Sequence, residues 1–413
     1  MSLAWISLIA LAIAVTLSIV TKVNVGVVSL AFAWIVGVYL GGIPLNQVIG
    51  TFPVQLFLTL AGVTLLFGMA GANGTLGRLA SRAVHLCRGN AGLIPVMFFV
   101  VAALLSSIGP GNISTSAILA PMAMAVGARA AVSPFLMTLM VGNGAQAGAL
   151  SPFAPTGVIV NGIMARIGLA GVEWNTYANN LIAHVAVTFI AYALFGGLAL
   201  FRKGAKDIGE PEAVKVEPFE GVHWLTLGVL ATLVLGVIFL DLQVGMAALT
   251  GAAFLSLVKA ADEKAAIRGM PWGVVLMVCG VTVLIGVLEK TQGMDLFSDL
   301  LARISTPSTV TGIVAFVTGV VSVYSSTSGV VLPAFLPTIP GLVERLGGGD
   351  PLGIASAMMV GGHLVDLSPL STIGALCIAA LPAGEDPRRL FNQLLAWGLS
   401  MTVVGALICW VLF

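Results

Sequence analysis

The chain has 413 residues, of which 58% are hydrophobic and 8% are charged, and its formal net charge is +1. Soluble domains carry about 25% charged residues, so this composition excludes a water-soluble globular protein and predicts lipid as the main solvent. The near-neutral charge also excludes a nucleic-acid partner, which would require a basic patch. No metal-type spacing connects the four cysteines, Cys87, Cys279, Cys377 and Cys409.

The predicted elements are mostly membrane helices, each of which needs about 20 apolar residues. The N-terminus MSLAWISLIALAIAV lacks the positive start of a secretory signal, so we predict an uncleaved first helix. Ten stretches qualify as helices, near 3–20, 24–41, 54–72, 133–150, 179–201, 222–239, 243–258, 272–288, 352–366 and 391–412. The charged stretch 202–220 divides them into two sets of five and is predicted to be a cytoplasmic linker.

The two sets are related in sequence. The matched segments are GVTLLFG at 62–68 with GVTVLIG at 280–286, STSAILAP at 114–121 with STSGVVLP at 326–333, and LSPFAPTG at 150–157 with LSPLSTIG at 367–374. The matches follow the same order at nearly one offset. We therefore predict a duplicated half, with one repeat at 1–201 and the other at 221–413.

Each half also contains a predicted re-entrant hairpin. Residues 91–107 and 114–128 form two arms of about 15–17 residues. At 1.5 Å per residue each arm is roughly 22–26 Å long, which is shorter than the ~30 Å hydrocarbon core. Gly109, Pro110 and Gly111 break the chain between them. The matching hairpin enters through 308–323, turns at 324–328 and returns through Pro333, Pro337 and Pro340. Two spanning helices joined by a kink are the alternative.

The distribution of basic residues supports an inverted repeat. With re-entrant hairpins each half crosses the membrane five times, so the second half is inserted upside down. If the loop 78–88 is cytoplasmic, 14 of the 18 Lys and Arg residues lie inside, as the positive-inside rule predicts. The four outside are Arg166, Lys290, Arg303 and Arg345. Both termini are then outside, and the amphipathic stretches 75–89 and 294–304 are expected to lie in the interface plane.

The predicted fold class is therefore an all-α integral membrane protein. It is an inverted repeat of two five-helix halves, each with a re-entrant hairpin and a broken helix, giving about 10 transmembrane helices plus 2 hairpins. The transport core is predicted at about 91–167 and 308–382.

Four breaks in the membrane helices are predicted to form an anion site. Helix N-termini offer free N–H groups and partial positive charge, and Ser or Thr hydroxyls add donors. The hairpin tips contribute the candidate substrate-binding residues Asn112, Ser114, Thr115, Ser325, Ser326, Thr327 and Ser328. The two proline breaks contribute Ser151, Pro152, Thr156, Ser368, Pro369, Ser371 and Thr372. The alternatives are hydroxyls that bond only to helical carbonyls and plain proline kinks.

Asp366 is the most unusual residue, because acids at membrane depth are costly and usually functional. It could bind Na⁺ or carry a proton, or it could only cap nearby backbone N–H groups. The repeat-related pair Gln146 and His363 is interpreted as structural, and His184 as a packed residue on a helix surface. No Lys or Arg is predicted deep in the core, so a buried anion favours symport with Na⁺ or H⁺.

Three segments carry a family resemblance. The segments FPVQLFLTLAGVTLLFGMAGANGT (52–75), GLIPVMFFV (92–100) and GNGAQAGALSP (142–152) resemble the MatC-type malonate and dicarboxylate carriers. That group belongs to the ion transporter superfamily, with the divalent anion/sodium symporters, and the resemblance is closest over residues 1–165. It implies an elevator-type homodimer in which two Ser-Asn-Thr hairpin tips bind substrate beside Na⁺ sites. Asn112 is kept in the first tip, whereas Ser326 replaces the second Asn.

The residues and the resemblance together give Asn112, Gly148, Ser326 and Asp366 as candidate Na⁺ ligands. We predict a bacterial inner-membrane symporter for malonate or a related small dicarboxylate, with Na⁺ or H⁺ as the coupling ion and no other cofactor. The expected partners are a small organic anion, the lipid bilayer and a second copy of the chain. A sulfonate or other small-anion carrier, or a membrane subunit of a multi-component transport complex, is the alternative. An enzyme is not predicted, because no nucleophile motif accompanies Asp366 and His363.

Overall fold

The computed structural model describes residues 2–21, 23–85, 90–201, 217–240, 242–382 and 384–413. All regular secondary structure in these ranges is helical, which confirms the predicted all-α class. Cys87 and most of the predicted linker, residues 202–216, lie outside the described residues.

The first half begins with two apolar helices, and its last long helix is α10 (Glu173–Leu194). Its helices are α1 (Leu3–Thr21), α2 (Val25–Trp34, continued by a π-helix at Ile35–Leu40), α3 (Leu45–Ile49), α4 (Val54–Ala72), α5 (Thr75–His85), α6 (Leu93–Ile108), α7 (Gly111–Arg129), α8 (Pro134–Gly148), α9 (Pro155–Arg166), α10 (Glu173–Leu194) and α11 (Gly197–Leu200). The prediction for α10, 179–201, was wrong at both ends. The helix begins at Glu173, and Gly196, with φ of 90°, separates it from α11.

The second half repeats this order with one segmented helix. Its helices are α12 (Gly221–Leu240), α13 (Val244–Leu257), α14 (Glu263–Gly269), α15 (Trp272–Lys290), α16 (Gly293–Arg303), α17 (Val310–Tyr324), a return arm made of a π-helix (Thr327–Val331), α18 (Leu332–Phe335), a 3₁₀ turn (Leu336–Thr338) and α19 (Ile339–Leu346), then α20 (Pro351–Leu364), α21 (Thr372–Ala379) and α22 (Pro387–Leu412). Its prolines Pro333 and Pro337 fall in this arm, where they remove N–H donors and shorten the helical segments.

Seven helices in the described residues are long and apolar enough to cross a membrane by length and composition. Two of them are the return arms of the predicted hairpins, Gly111–Arg129 with 19 residues and Thr327–Leu346 with 20. At 1.5 Å per residue these arms reach about 28–30 Å, so the predicted length of 15–17 residues was too short. The re-entrant interpretation therefore depends on topology rather than on arm length.

The repeat seen in short motifs extends to the order of the helices. α4 begins at Val54 and α15 begins at Trp272, 218 residues later. The helices before the two breaks, α8 and α20, begin at Pro134 and Pro351, 217 residues apart. Even the short helices correspond, because α3 matches α14 and α5 matches α16 in the same positions of each half.

The two halves exchange contacts reciprocally through small residues. α2 packs on α15, where a Cβ on Gly280 would lie 2.2 Å from the carbonyl oxygen of Gly26. In the counterpart contact, α13 packs on α4, where a Cβ on Gly62 would lie 2.3 Å from the carbonyl oxygen of Gly245. Small residues at such crossings let helix backbones approach closely in membranes. The two contacts between the halves therefore use equivalent pairs of glycines.

Two polar pairs at the ends of these helices show the same reciprocity. Asn73, which follows α4, donates through Nδ2 to Thr226 Oγ1 on α12 over 2.9 Å. Thr291, which follows α15, donates to Ser7 Oγ on α1 over 2.7 Å. These pairs connect the end of one half's third long helix to the first helix of the other half.

The amphipathic helices α5 and α16 are held by ion pairs. Arg78 on α5 lies 2.7 Å from Glu217, just before α12. On α16, Asp295 and Asp299 both pair with Arg345 of α19. Exposed pairs add little stability, but they join segments that the charge distribution had placed on the same membrane side.

Candidate functional site

A cavity of about 140 Å³ lies where the second broken helix meets both hairpin tips. Pockets for drug-sized ligands occupy roughly 300–1,000 Å³, so this one suits a ligand of a few non-hydrogen atoms. Its polar lining consists of Ser18, Asn112, Tyr324, Ser325, Ser326, Ser328, Asp366, Ser371 and Thr372. Both halves of the chain contribute to it.

Three helical N-termini meet at this cavity. α7 begins at Gly111, so Asn112 and Ile113 are in its first turn. Ser326 is the N-cap of the π-helix that opens the second return arm, and its hydroxyl accepts a hydrogen bond from Gly329 N–H. Ser371 is the N-cap of α21 and accepts from Gly374 N–H. The first amides of a helix lack helical partners and carry partial positive charge, so this arrangement favours an anion.

The backbone forms each of these ends for a local reason. Gly109, between α6 and α7, has φ of 149°, and a Cβ there would lie 2.0 Å from the Phe67 ring. Only glycine fits this tip. In the second break the backbone leaves the helix after Leu364, and the Ser371 hydroxyl donates to the carbonyl oxygens of Asp366 and Ser368. The break is thereby fixed before Pro369.

A hydrogen-bonded link across the halves ends at Asp366. Gln146 Nε2 donates to Asp366 Oδ2 over 2.8 Å, and Asn112 Nδ2 donates to Gln146 Oε1 over 2.8 Å. Gln146 is fully buried on α8. The sequence interpretation of Gln146 as merely structural missed this link, although its pairing with His363 across the repeats marked it as an unusual polar position.

The structure brings seven of the predicted site residues together at the cavity. These are Asn112, Ser325, Ser326, Ser328, Asp366, Ser371 and Thr372. Three of the four candidate Na⁺ ligands are among them. The fourth, Gly148, packs against α6 instead, where a Cβ would meet Ala103 O at 2.5 Å and Ser107 Oγ at 2.7 Å.

The other predicted residues do not line the cavity. Ser114 is exposed, whereas Thr115 and Thr156 are buried. Ser151 donates to Ser107 O over 2.6 Å, and Pro152 lines a different cleft. In the second half Thr327 donates to Gly362 O over 3.2 Å, Ser368 accepts from Leu370 N–H, and Pro369 is buried. The two breaks therefore differ, because only the second opens into the small cavity.

A larger cleft of about 1230 Å³ lies beside the first break. Its ionisable lining residues are Arg166, Glu173 and Glu289, and Gln55 and Gln243 add further polar groups. Arg166 and the neighbour of Glu289, Lys290, belong to the loops that the charge distribution places outside. The predicted topology therefore places this cleft toward the outside.

Asp366 and Tyr324 are the ionisable residues that line the small cavity, and no Lys or Arg among the described residues joins them. An anion here would be held by helix dipoles, hydroxyls and amides. The described residues also contain no group of three His, Cys, Asp or Glu side chains suited to a transition metal. Oxygen donors such as Ser326 and Asp366 suit hard cations.

The interpretation of His184 as a packed residue is confirmed, because the side chain is fully buried. Its ring lies between α10 and α20, directed toward the backbone of His363. The packing of α10 beside α20, which local sequence does not specify, is the reason.

Comparison with known proteins supports the resemblance seen in the sequence. Residues 1–149 match the family model described as the dicarboxylate carrier protein MatC N-terminus, which confirms the resemblance over that range. None of the curated protein sequences matches the chain.

Solved structures extend the comparison to most of the chain. The YdaH transporter of Alcanivorax borkumensis is similar with a TM-score of 0.60 and 16% identity, covering 88% of this chain and 87% of that one. MtrF of Neisseria gonorrhoeae, described with a class of antimetabolite efflux pumps, is similar with a TM-score of 0.57 and 12% identity, covering 92% and 84%. These matches are carriers, transporters and efflux pumps rather than enzymes. The chain is thus a multi-pass membrane protein with a transporter fold, similar over residues 1–149 to MatC-type dicarboxylate carriers.

Proposed function

We propose that the chain is a secondary active transporter that carries malonate or a related small dicarboxylate together with a cation. The observation that carries this proposal is the convergence of three helical N-termini on a cavity of about 140 Å³ that contains one acid and no basic side chain. The match to the MatC N-terminus supports the substrate class.

Asp366 is the reason for proposing cation coupling. A substrate carboxylate in the cavity would lie near the Asp366 carboxylate, and two like charges about 4 Å apart repel by roughly 4 kcal/mol at an effective dielectric constant of 20. A Na⁺ ion between them, or a proton, removes that repulsion. Asn112, Ser326 and Asp366 are the side chains that would hold Na⁺.

The reciprocal contacts support an inverted repeat with a moving core. The glycine pairs join α2 to α15 and α4 to α13. α4 also packs on α15, so the four helices form one unit that spans both halves, which suits a static scaffold. Both hairpins and both broken helices belong to the rest of the chain, which we propose moves as an elevator. Ser18 and Met277 line the cavity near the predicted cytoplasmic ends of α1 and α15, which supports a cavity that faces the cytoplasm. We further propose a homodimer in a bacterial inner membrane.

Thermal stability with ligands is the direct test of the proposal. We expect malonate to raise the melting temperature of the purified chain, because a ligand about 100-fold above its Kd stabilises the folded state by about 2.7 kcal/mol. Succinate, a monocarboxylate and a small sulfonate complete the panel, each with Na⁺ or with choline as the salt. A shift with the sulfonate alone would favour the sulfonate carrier, and no shift with any anion would contradict the proposal.

The second hairpin tip offers a mutational test. Ser326→Ala combined with Thr327→Ala should abolish malonate uptake in proteoliposomes, while the helical content remains that of the wild type. Ser326 caps the π-helix at the cavity, and Thr327 holds that turn to Gly362 O. Ser328→Ala is the control, because Ser328 lies at the same tip but does not cap the helix. This variant should lose less malonate uptake than the double variant. Wild-type uptake by the double variant would remove this tip from the site.

A further inference from the structure

A methionine of the proposed scaffold forms part of the wall of the small cavity. Met277 is the sixth residue of α15 and is half-buried. It lines the cavity together with Ser326 and Val330 of the second hairpin. α15 packs along the π-helix that opens the return arm of this hairpin. Met277 is therefore placed to contact a ligand that the hairpin tips hold.

A glycine in the hairpin makes this close approach possible. A Cβ on Gly329 would lie 2.1 Å from Met277 Sδ and 3.0 Å from Met277 Cγ. Gly329 does not have a positive φ, so the glycine is needed for space rather than for backbone conformation. Its N–H donates to the Ser326 hydroxyl at the N-cap of the π-helix. The methionine thus lies directly on the capped turn that faces the cavity.

The repeat-related positions in the first half carry the reverse pair of residues. Ala117 aligns with Gly329 in the matched segments, and Thr59 aligns with Met277 at the offset of 218 residues. Ala117 is exposed, and Thr59 lines the large cleft. The space on the Thr59 side measures about 1230 Å³, against about 140 Å³ on the Met277 side. The long side chain occurs where the hairpin has glycine and where the cavity is small.

The cavity is small enough for one side chain to decide which ligand fits. Its volume of about 140 Å³ corresponds to roughly four or five water molecules at about 30 Å³ each. Succinate exceeds malonate by one methylene and glutarate by two, and one methylene in an apolar pocket changes selectivity roughly 10–200-fold. Met277 has the longest apolar side chain in the lining, so its truncation frees the most space.

We propose that Met277 sets the length of the dicarboxylate that the carrier accepts, by filling the space that additional methylene groups would occupy. This inference rests on the proposed function and narrows its substrate class to three-carbon dicarboxylates. The thioether carries no charge and is only a weak hydrogen-bond acceptor, so it acts through its volume. The polar groups at the helical N-termini hold the carboxylates, and Met277 limits the length of the chain between them.

The test measures exchange by the full chain in proteoliposomes loaded with labelled malonate. Na⁺ is present on both sides at one pH, so no ion gradient is needed. External malonate, succinate or glutarate releases the label, and the concentration that gives half-maximal release measures the preference. Met277→Ala and the milder Met277→Val are compared with Leu276→Ala. Leu276 precedes Met277 on α15, is exposed and does not line the cavity.

We expect wild type and Leu276→Ala to prefer malonate, whereas Met277→Ala shifts the preference toward succinate at least tenfold. Met277→Val should shift it at least threefold, and this variant carries the test if Met277→Ala does not fold. Smaller shifts overturn the proposal. If Met277 only packs the hairpin, its truncation will lower the melting temperature and slow release by all three dicarboxylates equally, which also overturns it. Wild type that exchanges no dicarboxylate would instead remove the proposed function, and this inference with it.

The contact with Gly329 gives an independent check. Gly329→Ala should slow malonate exchange at least tenfold, because its Cβ displaces Met277 from the turn. The other neighbour of that Cβ, Ser326 Oγ at 3.0 Å, needs to shift by only a few tenths of an ångström. Adding Met277→Ala removes the clash and should restore exchange to within threefold of wild type. A double variant as slow as Gly329→Ala would show that the two side chains do not compete for this space.

Discussion

Asp366→Asn should reduce malonate uptake driven by an ion gradient by at least 100-fold. The change keeps the shape of the side chain and removes the carboxylate that Gln146 holds at the cavity. Without the charge, the cavity loses its strongest attraction for a coupling cation. Folding should be preserved or improved, because a buried charge costs more than a buried amide. Uptake in proteoliposomes and the melting temperature of the purified protein measure the two effects.

An aspartate elsewhere in the chain provides the matched control. Asp386 is exposed and caps α22 by accepting a hydrogen bond from Arg388 N–H. Asn caps a helix about as well as Asp, so Asp386→Asn should transport normally. Should Asp366→Asn retain uptake within twofold of wild type, Asp366 would be a structural cap and another group would have to carry the coupling ion.

Gly280→Val should prevent stable folding. A Cβ at this position would lie 2.2 Å from the Gly26 carbonyl oxygen. That contact is with backbone, so no rotation of a side chain can relieve it, and α2 and α15 would have to separate. Overpacking of a core commonly costs 1–3 kcal/mol, and a forced separation of two helices should exceed about 3 kcal/mol. The yield of monodisperse protein and its melting temperature are the measurements.

The counterpart glycine pair in the other half gives a second test of this prediction. Gly62→Val creates the counterpart contact with Gly245 O and should fail in the same way. Gly228→Val on α12 is the control, because nothing lies within 4 Å of its Cβ position. Equal stability of Gly280→Val and Gly228→Val would show that the close contact between the halves does not form.

Long apolar segments were predictable because a membrane helix needs only a continuous apolar run. α1 and α4 were placed within one residue of their observed bounds, and the broken helices followed from Pro152 and Pro369. The boundary of α10 was missed, because its first turn carries Glu173 and Asn175, which composition alone assigns to a loop.

The site was only partly predictable. Helix-capping residues such as Ser326 and Ser371 have a local signature, so the tips and breaks could be found from sequence. The role of Gln146 could not, because its partner Asp366 is 220 residues away in the sequence. The repeat suggested that both breaks would serve alike, yet Ser151 faces Ser107 and Pro152 borders the large cleft. Sequence symmetry thus overstated the symmetry of the site.

The reciprocal glycine contacts also bear on biogenesis. When residues 1–201 have entered the bilayer, the faces of α2 and α4 that close on α15 and α13 still meet lipid tails. These faces of the first half therefore stay open until α13 and α15, residues 244–290, have been synthesised. Neither half can cover these faces with its own helices, although the two halves share matched segments.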